Sequence, residues 1–207
     1  MLKRALGEDN LETLKALERI GADNFALHND SEAYQQFWTV YEKRCRLLGK
    51  THPDTVQAAK NFASVCMRIG INFCEGDQPE KGLDYLRYAC TLRESAYGTE
   101  DTETLTSRYN LAICYANMDR YREALAIQED VCEKRCRVLG ETHEDTLASR
   151  HALAADYLGI GEIDKALSIM KELYPVCRRV LGRQHPTTKS VRDNLRNARI
   201  YRLFHKK

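Results

Sequence analysis

The sequence predicts an all-α chain made of repeated helix pairs, and two observations carry this prediction. First, a Leu-Gly or Tyr-Gly pair recurs five times, and a threonine stands six residues after each glycine. Successive threonines lie 42, 49, 42 and 42 residues apart. Second, the apolar residues that follow them recur at helical spacing. A fixed period of this length is typical of an array of one supersecondary unit, not of a single closed core. The threonines are Thr13, Thr55, Thr104, Thr146 and Thr188.

The unit that begins at Thr104 contains the pattern of two helices. Apolar residues follow it at helical spacing as far as Tyr115, and Asp119-Arg120 interrupts the pattern. A second amphipathic stretch then runs to Leu139 and ends at Gly140, a residue suited to the positive φ that closes many helices. We therefore expect two antiparallel helices per unit, joined by a short turn.

Small residues recur where the two helices of a unit must approach each other. Alanines stand eight residues after three of the threonines, and Ala or Gly stands sixteen residues before four of the glycines. Large apolar residues flank them and would fill the adjacent gaps. The small residues are Ala63, Ala112 and Ala154 in first helices, and Ala33, Gly82, Ala124 and Ala166 in second helices.

The segment between each glycine and threonine resembles the start of a helix. Proline suits the first turn, and Thr or Asp can cap its free N–H groups. His52, His143 and His185 share one position in this segment. They lie about one unit apart, too far to converge on a metal ion, so we interpret them as helix-start residues.

Two segments carry a resemblance to a known family. Leu48-Gly49-Lys50-Thr51-His52-Pro53-Asp54-Thr55 and Asn110-Leu111-Ala112-Ile113-Cys114-Tyr115 resemble tetratricopeptide repeats of the 42-residue, kinesin light chain-like subclass. The resemblance implies a right-handed superhelix, or solenoid, of antiparallel helix pairs whose first helices line a concave groove. It covers residues 1–207 as a single solenoid. The units would span about 7–48, 49–97, 98–139 and 140–181, followed by a capping helix at 182–207.

The unit with the 49-residue spacing has seven extra residues around Gly70 to Gly76. Seven residues make about two helical turns, so the insertion keeps the apolar face in phase. We expect the first helix of this unit to continue to Phe73 or Cys74, with its turn at Gly76-Asp77. A longer loop after Gly70 is the alternative.

The two ends of the chain differ from the other units. The last unit has only its first helix, and its basic face should point to water, while Tyr201 and Phe204 seal the core. Pro175 should kink the preceding helix. At the start, Leu6-Gly7 is already in register, so we expect the chain to be the C-terminal part of a longer protein. The basic face comprises Lys189, Arg192, Arg196 and Arg199.

Charge is unevenly distributed along the chain. Residues 175–207 carry ten Lys/Arg and one acid, whereas the remainder carries 22 Lys/Arg and 29 Asp/Glu. A solvated cap is the preferred interpretation of the basic end, before an acidic partner, with nucleic acid third. The sequence has neither a recognisable leader nor an apolar run of membrane length, which predicts a cytoplasmic protein without membrane contact. Its eight cysteines are therefore interpreted as reduced, buried apolar residues.

Motifs of catalysis are missing from the sequence: it has no phosphate-binding loop, no Gly-x-Ser-x-Gly and no His-Glu-x-x-His. Cys132 and Cys136 lie one helical turn apart and would need two further ligands to bind a metal. Buried packing is the preferred interpretation of this pair. The sequence therefore predicts no enzyme, no cofactor and no metal.

Binding of a protein or peptide, with an acidic one favoured, is the predicted function. The resemblance implies that Asn61 and Asn110 hold a ligand's backbone by bidentate amide hydrogen bonds, although bonding to a neighbouring repeat is an equal alternative. Lys60 and Arg68 would favour ligand carboxylates. A regulatory module of a larger signalling protein, such as a nucleotide-switch ATPase or a peptide-responsive regulator, is the alternative function. The residues expected to face the groove are Gln57, Lys60, Asn61, Ser64, Arg68, Tyr109, Asn110, Ile113, Asn117 and His151.

Overall fold

The computed structural model describes residue 7 and residues 9–205, and within them the chain is all-α, as predicted. Nine helices and no strand occur in this part. The proposed start inside a repeat rests on Leu6, which lies outside the described residues. The helices are α1 (Leu11–Ala26), α2 (Asp30–Leu48), α3 (Pro53–Glu75), α4 (Pro79–Tyr97), α5 (Thr102–Asn117), α6 (Tyr121–Leu139), α7 (Glu144–Gly159), α8 (Ile163–Val180) and α9 (Pro186–His205).

Helices adjacent in the chain pack against each other. In the first part of the molecule α2 packs on both α1 and α3, and α3 packs most extensively on α4. In the second part α7 packs on α6 and α8, and α9 packs on both α8 and α7. The chain divides into two compact units, one up to Ser107 and one from Arg108, with the boundary inside α5. No described helix is both long and apolar enough to span a membrane.

The small residues predicted at the helix crossings are buried. Ala63, Ala112 and Ala154 of the first helices are fully buried, as are Ala33, Ala124 and Ala166 of the second helices. Helices α3 and α4 cross closely, and a Cβ added to Gly82 would lie 2.7 Å from the carbonyl oxygen of Gly70. A side chain at that place would have to push the two backbones apart.

The seven-residue insertion lengthens a helix and does not form a loop. Helix α3 has 23 residues, against 16 in α5 and in α7. It ends at Glu75 and the turn follows at Gly76, so the expected continuation is confirmed and the alternative loop after Gly70 is wrong. Two extra turns fit because they leave the buried face of the helix in phase.

A side chain caps the first helix of every unit, always at the third residue after the repeated glycine. The imidazole Nδ1 of His52 accepts a hydrogen bond from the backbone N–H of Asp54 at 3.1 Å, and His143 and His185 do the same in their units. Asn10 and Asp101 take this role where histidine is missing. The expected helix-start role of the histidines is confirmed, and imidazole joins Asp as a capping group.

The repeated glycine closes each second helix with a backbone that few other residues adopt. Gly98 has φ 85° and ψ 173°, and Gly140 has φ 90° and ψ 158°. This region lies outside the left-handed helical minimum and is nearly exclusive to glycine. The prediction of positive φ is confirmed, and the observed ψ explains why glycine, not asparagine, recurs here.

Helix α9 meets one expectation and contradicts another. Lys189, Arg192, Arg196 and Arg199 are exposed, as predicted for a face that meets water. Tyr201 and Phe204 were expected to seal the core, and this was wrong: they are 50% and 80% exposed. Val191, Leu195 and Ala198 bury the apolar face of α9 instead. Helix α8 runs through Pro175 without a break in its assignment, so the expected kink stays a prediction.

The cysteines fall into two groups. Cys45, Cys66, Cys90, Cys132, Cys136 and Cys177 are free, and burial raises the pKa of the Cys66 thiol to about 12. Cys74 and Cys114 are disulfide-bonded. Interpreting all eight cysteines as reduced was therefore wrong for these two, because spacing in the sequence does not reveal which sulfurs come together.

Two polar side chains occupy core positions of the second unit. Asp156 of α7 is 3% exposed and stands where α3 carries Val65 and α9 carries Ala198. Gln128 of α6 is fully buried at the position of Phe37. Among the described residues, neither Oδ2 of Asp156 nor the amide of Gln128 has a hydrogen-bond partner. Burial raises the pKa of Asp156 to about 7 because it penalises the carboxylate.

We predict that Gly82→Val destabilises the protein by about 2 kcal/mol or more. The new Cβ would lie 2.4 Å from Sγ of Cys74 and 2.9 Å from its backbone nitrogen, so α4 would have to shift. Urea unfolding followed by circular dichroism measures the loss. Ser95→Ala, at an exposed position of the same helix, is the control and should change stability by less than about 0.5 kcal/mol. Equal effects of the two variants would contradict the crossing described above.

We predict that Asp156 makes the protein less stable as the pH rises. Its pKa is raised in the folded state, so its stabilising contribution is complete below about pH 4 and is lost as the pH rises through about 7. The free energy of unfolding should therefore fall between about pH 5 and pH 8. Asp156→Asn should remove much of this fall, which is roughly 2–4 kcal/mol. Urea titrations at several pH values measure it, and identical pH profiles of the two proteins would refute the assignment.

Candidate functional site

The predicted face of α3 presents five side chains, and they differ in exposure. Gln57 and Lys60 are exposed, whereas Asn61, Ser64 and Arg68 are half-buried. The hydroxyl of Ser64 donates to the carbonyl of Lys60 at 3.0 Å and accepts from Arg93 at 3.3 Å. The end of this face that carries Gln57 and Lys60 is therefore exposed, and the end that carries Ser64 and Arg68 is bonded to the rest of the first unit.

Asn61 lies at the centre of a polar network that joins α3 to α1. Its amide Nδ2 donates to Oε1 of Glu18 at 2.7 Å, and its Oδ1 accepts from Nε2 of Gln57 at 3.0 Å. The other oxygen of Glu18 accepts from the buried guanidinium of Arg44 at 2.8 Å. These bonds fix the plane of the Asn61 amide and leave it one N–H and one lone pair.

Arg68 is engaged within the first unit. Its guanidinium lies 3.5 Å from the ring centroid of Phe25, donates to the Phe25 carbonyl at 2.7 Å and pairs with Asp30. The side chain thus holds the turn between α1 and α2 against α3. Lys60 is the cation of this face for which the described residues provide no ion pair.

The predicted residues of α5 belong to the second unit. Tyr109, Asn110 and Ile113 are half-buried and Asn117 is exposed. The guanidinium of Arg135 lies 5.0 Å from the ring centroid of Tyr109, and burial raises the pKa of the Tyr109 hydroxyl. No hydrogen bond of the described part of the chain involves the amide of Asn110.

His151 of α7 contacts an asparagine of the next first helix, as Glu18 of α1 contacts Asn61 of α3. Its Nε2 lies 3.1 Å from Nδ2 of Asn194 on α9, 43 residues along the chain, which is also the separation of Glu18 and Asn61. Burial lowers the pKa of His151, which favours the neutral ring. The asparagine that stands six residues after the repeated threonine thus contacts the preceding first helix at both Asn61 and Asn194. Bonding to a neighbouring repeat, the alternative to ligand binding given for Asn61, therefore occurs at both places.

A buried arginine, absent from the sequence-based predictions, joins consecutive helix pairs. Arg44, Arg93 and Arg135 are 2–5% exposed, and each stands five residues before the repeated glycine. Nη1 of each donates to the carbonyl of the residue before the repeated threonine, at 2.9, 2.9 and 3.1 Å. Arg93 and Arg135 also donate to Ser107 and Ser149 at 2.8 and 2.9 Å. The matching segments Arg44-Cys45-Arg46 and Arg135-Cys136-Arg137 were the available signal.

An aromatic cluster of the first unit was also missed. The buried ring of Phe62 on α3 lies within 5.0–6.1 Å of four other rings, measured between centroids. Three of these rings come from α2 and one from α4. Because the rings come from three helices that belong to two different repeats, no single stretch of sequence displays the cluster. The four are Tyr34, Trp38, Tyr41 and Tyr88.

The cysteine pair of α6 has no surrounding ligands within the part of the chain that the structure describes. Burial, followed by the neighbouring Cys136, raises the pKa of the Cys132 thiol to about 11. A raised pKa disfavours the thiolate that binds metals. Among the described residues no group of three or more His, Cys, Asp or Glu side chains is placed to hold a metal ion.

Comparison with known proteins identifies the repeats. Residues 104–145 and 146–187 each match the family model described as Tetratricopeptide repeat. Residues 104–187 therefore form two tetratricopeptide repeats. Both matched segments begin at the repeated threonine and contain the buried alanine of the first helix, Ala112 or Ala154. No curated protein matches the sequence.

Solved structures with kinesin light chain-like repeats share the fold. A kinesin light chain of Podosopora anserina with nearly identical TPR-like repeats is 19% identical, with a TM-score of 0.62 over 93% of this chain and 88% of that one. A variant of that protein gives 20% identity, a TM-score of 0.63 and coverages of 93% and 87%. BtubC (BKLC) from P. vanneervenii is 11% identical, with a TM-score of 0.58 over 98% and 91% of the two chains. These likenesses concern the fold.

We predict that Arg93→Met destabilises the protein by about 2–3 kcal/mol. Methionine keeps an apolar stem, but the carbonyl of Glu103 and the hydroxyl of Ser107 lose a charged donor in a buried place. Arg87→Met on the same helix, where the side chain is exposed, is the control and should cost less than about 0.5 kcal/mol. Thermal and urea unfolding measure both. A loss no greater than that of the control would show that the buried arginine does not hold the two helix pairs together.

Proposed function

We propose that this protein binds a peptide segment of a partner protein along the exposed face of its first helices. The repeat fold generally serves as a scaffold for protein–protein interaction, and the proposal names the residues that do so here. A preformed helical face binds an extended segment without the entropic cost of ordering the receptor. The proposed contacts are taken for each compact unit by itself: Gln57, Lys60 and Asn61 on α3 of the first, and Asn110, Ile113 and Asn117 on α5 with His151 on α7 of the second.

The state of Asn61 is the observation that supports this proposal most. A peptide backbone presents one acceptor and one donor per residue, and the amide of Asn61 retains one N–H and one lone pair. Glu18 and Gln57 fix its plane, so little side-chain entropy is lost when a ligand binds. Asn110 stands at the same position of the repeat and offers its whole amide. The two asparagines would hold backbone, which makes this part of the recognition independent of ligand sequence.

An acidic ligand is the favoured one because of Lys60. Its amine is exposed beside Asn61 and would attract a carboxylate, whereas Arg68 is occupied by Asp30 and Phe25. We therefore propose that Lys60 binds a ligand carboxylate and that Arg68 positions α3.

The proposal includes a cytoplasmic location, which the six free thiols support and the disulfide-bonded Cys74 and Cys114 oppose.

We predict that acidic decapeptides bind more tightly than neutral ones of the same length. An array of decapeptides of graded net charge would identify binders, and fluorescence polarisation of the labelled hits would give affinities. Asn61→Ala combined with Asn110→Ala should weaken binding about tenfold or more, since two charge-independent anchors are lost. Lys60→Glu should weaken it further and should reduce its dependence on salt.

Arg122→Glu on α6 is the matched control for Lys60→Glu, because it reverses an exposed charge away from the proposed face. It should leave the affinity unchanged. The assignment of the face fails if the double asparagine variant binds the same peptides as tightly as the native protein. The preference for acidic ligands fails if neutral decapeptides bind as well as acidic ones.

A further inference from the structure

The first unit has a groove between its second helices, α2 and α4, and residues of α3 also line it. Three adjoining cavities of about 560, 580 and 490 Å³ lie between α2 and α4. The first two share Tyr34 and Tyr85, and the last two share Tyr88, so together they make one open groove. We call it the aromatic groove. Trp38 and Tyr88, on its opposite sides, are 41% and 37% exposed.

The aromatic groove has a rigid base. The ring of Phe62 is fully buried beneath it and contacts Tyr34 and Tyr88 edge-to-face, at centroid distances of 5.0 and 5.6 Å. Edge-to-face pairs of this kind hold rings in fixed orientations. The walls are therefore set before any ligand arrives, which lowers the entropic cost of binding.

The seven-residue insertion in α3 builds one end of this groove. Asn72 and Phe73, which lie in the added turns, line the cavity next to Tyr34. The ring of Phe73 stacks on Tyr85 at 5.8 Å with an angle of 13° between the planes. The insertion thus extends the groove beyond the length that an ordinary unit would give. Its length along α2, from Asp30 to Tyr41, is about 16 Å.

Charge in the groove is balanced. The three cavities are lined by two acids, Asp30 and Asp84, and two bases, Lys50 and Lys81. Asp30 already pairs with Arg68, and Lys81 lies over the ring of Phe73 at 5.9 Å. In a chain with 30% charged residues, an aromatic surface with no net charge matches an uncharged ligand better than an acidic or basic one.

Aromatic rings supply several of the hydrogen-bond donors of the groove, which is also lined by the polar side chains of Gln35, Asn72 and Thr51. Within the described residues no hydrogen bond involves the hydroxyls of Tyr34, Tyr85 and Tyr88 or the indole N–H of Trp38. These ring donors favour a ligand that presents carbonyl acceptors. Polyproline II segments have this chemistry, since their carbonyls point outward without internal bonds and proline has no N–H.

We propose that the aromatic groove binds a proline-rich segment of a partner protein in the polyproline II conformation. Prolines would lie between the rings of α2 and those of α4, and the tyrosine hydroxyls and the indole would donate to the peptide carbonyls. Tyr34 and Tyr41 are about 10 Å apart along α2, close to the roughly 9 Å of one polyproline II turn. This site is separate from the face of α3 proposed above to bind acidic peptides.

Trp38 is the single tryptophan of the chain and reports directly on the groove. Titration of the native protein with a deca-proline peptide, followed by tryptophan fluorescence, should give a saturable change. A (Gly-Ser)5 peptide should give none, because it pays more entropy to become extended and offers no rings to pack. The Lys60→Glu variant should bind deca-proline as the native protein does, which separates this site from the proposed acidic-peptide site.

Tyr88→Ala should weaken deca-proline binding about tenfold or more, in line with the loss of an aromatic anchor. Tyr97→Ala is the matched control, since Tyr97 lies on the same helix, is equally exposed at 37% and lies outside the groove. Circular dichroism checks that both variants fold. If Tyr88→Ala does not fold, Tyr88→Phe keeps the ring, removes the donor and should still lower the affinity measurably.

Three results would overturn the proposal. The first is no fluorescence change up to millimolar deca-proline with the native protein. The second is equal or tighter binding of a deca-glutamate peptide, which would place an acidic segment in the groove. The third is a Trp38 signal that depends on protein concentration and that deca-proline does not alter, which would show that a second copy of this chain covers the groove.

Discussion

The close approach of the two helices in each pair is the constraint on which the structure depends. Fully buried alanines, and Gly82 where α3 crosses α4, let the backbones come near enough for the neighbouring large side chains to interdigitate. Because each helix is amphipathic, neither member of a pair could bury its apolar face alone. Every further feature of the molecule, including the exposed faces available to partners, follows from the pairing of these seams with those of the adjacent helices.

Polar interactions determine where each pair begins and how it joins the next. A side chain at one repeated position caps the first helix, and a buried arginine from the preceding helix donates to that helix's first turn. The arginine brings a charge into the core, and it is tolerated because carbonyl and hydroxyl groups surround it. Some side chains on the outer faces are therefore not needed to hold the helices together. Lys60 and Asn61 retain binding capacity, whereas Arg68 does not.

Much of the fold could be predicted from the sequence, because the features that define it repeat. The helix pairs, the capped starts, the small-residue seams and the longer α3 all follow from period and phase. Arg93 was missed because an isolated charge is ordinarily solvent-exposed and nothing local marks it as buried. The aromatic groove was missed since its rings come from helices in different repeats. Tyr201 and Phe204 were placed in the core on hydrophobicity alone, although both are exposed.

Amide hydrogen exchange measured along the chain by mass spectrometry tests the paired seams most directly. The account predicts slow exchange that recurs once per unit, centred on Ala63, Ala112 and Ala154 in the first helices and on their partners in the second. Segment 70–75 should exchange as slowly as the body of α3. Protection confined to one contiguous block, without this recurrence, would contradict the view that each helix pair is held by its own crossing of small residues.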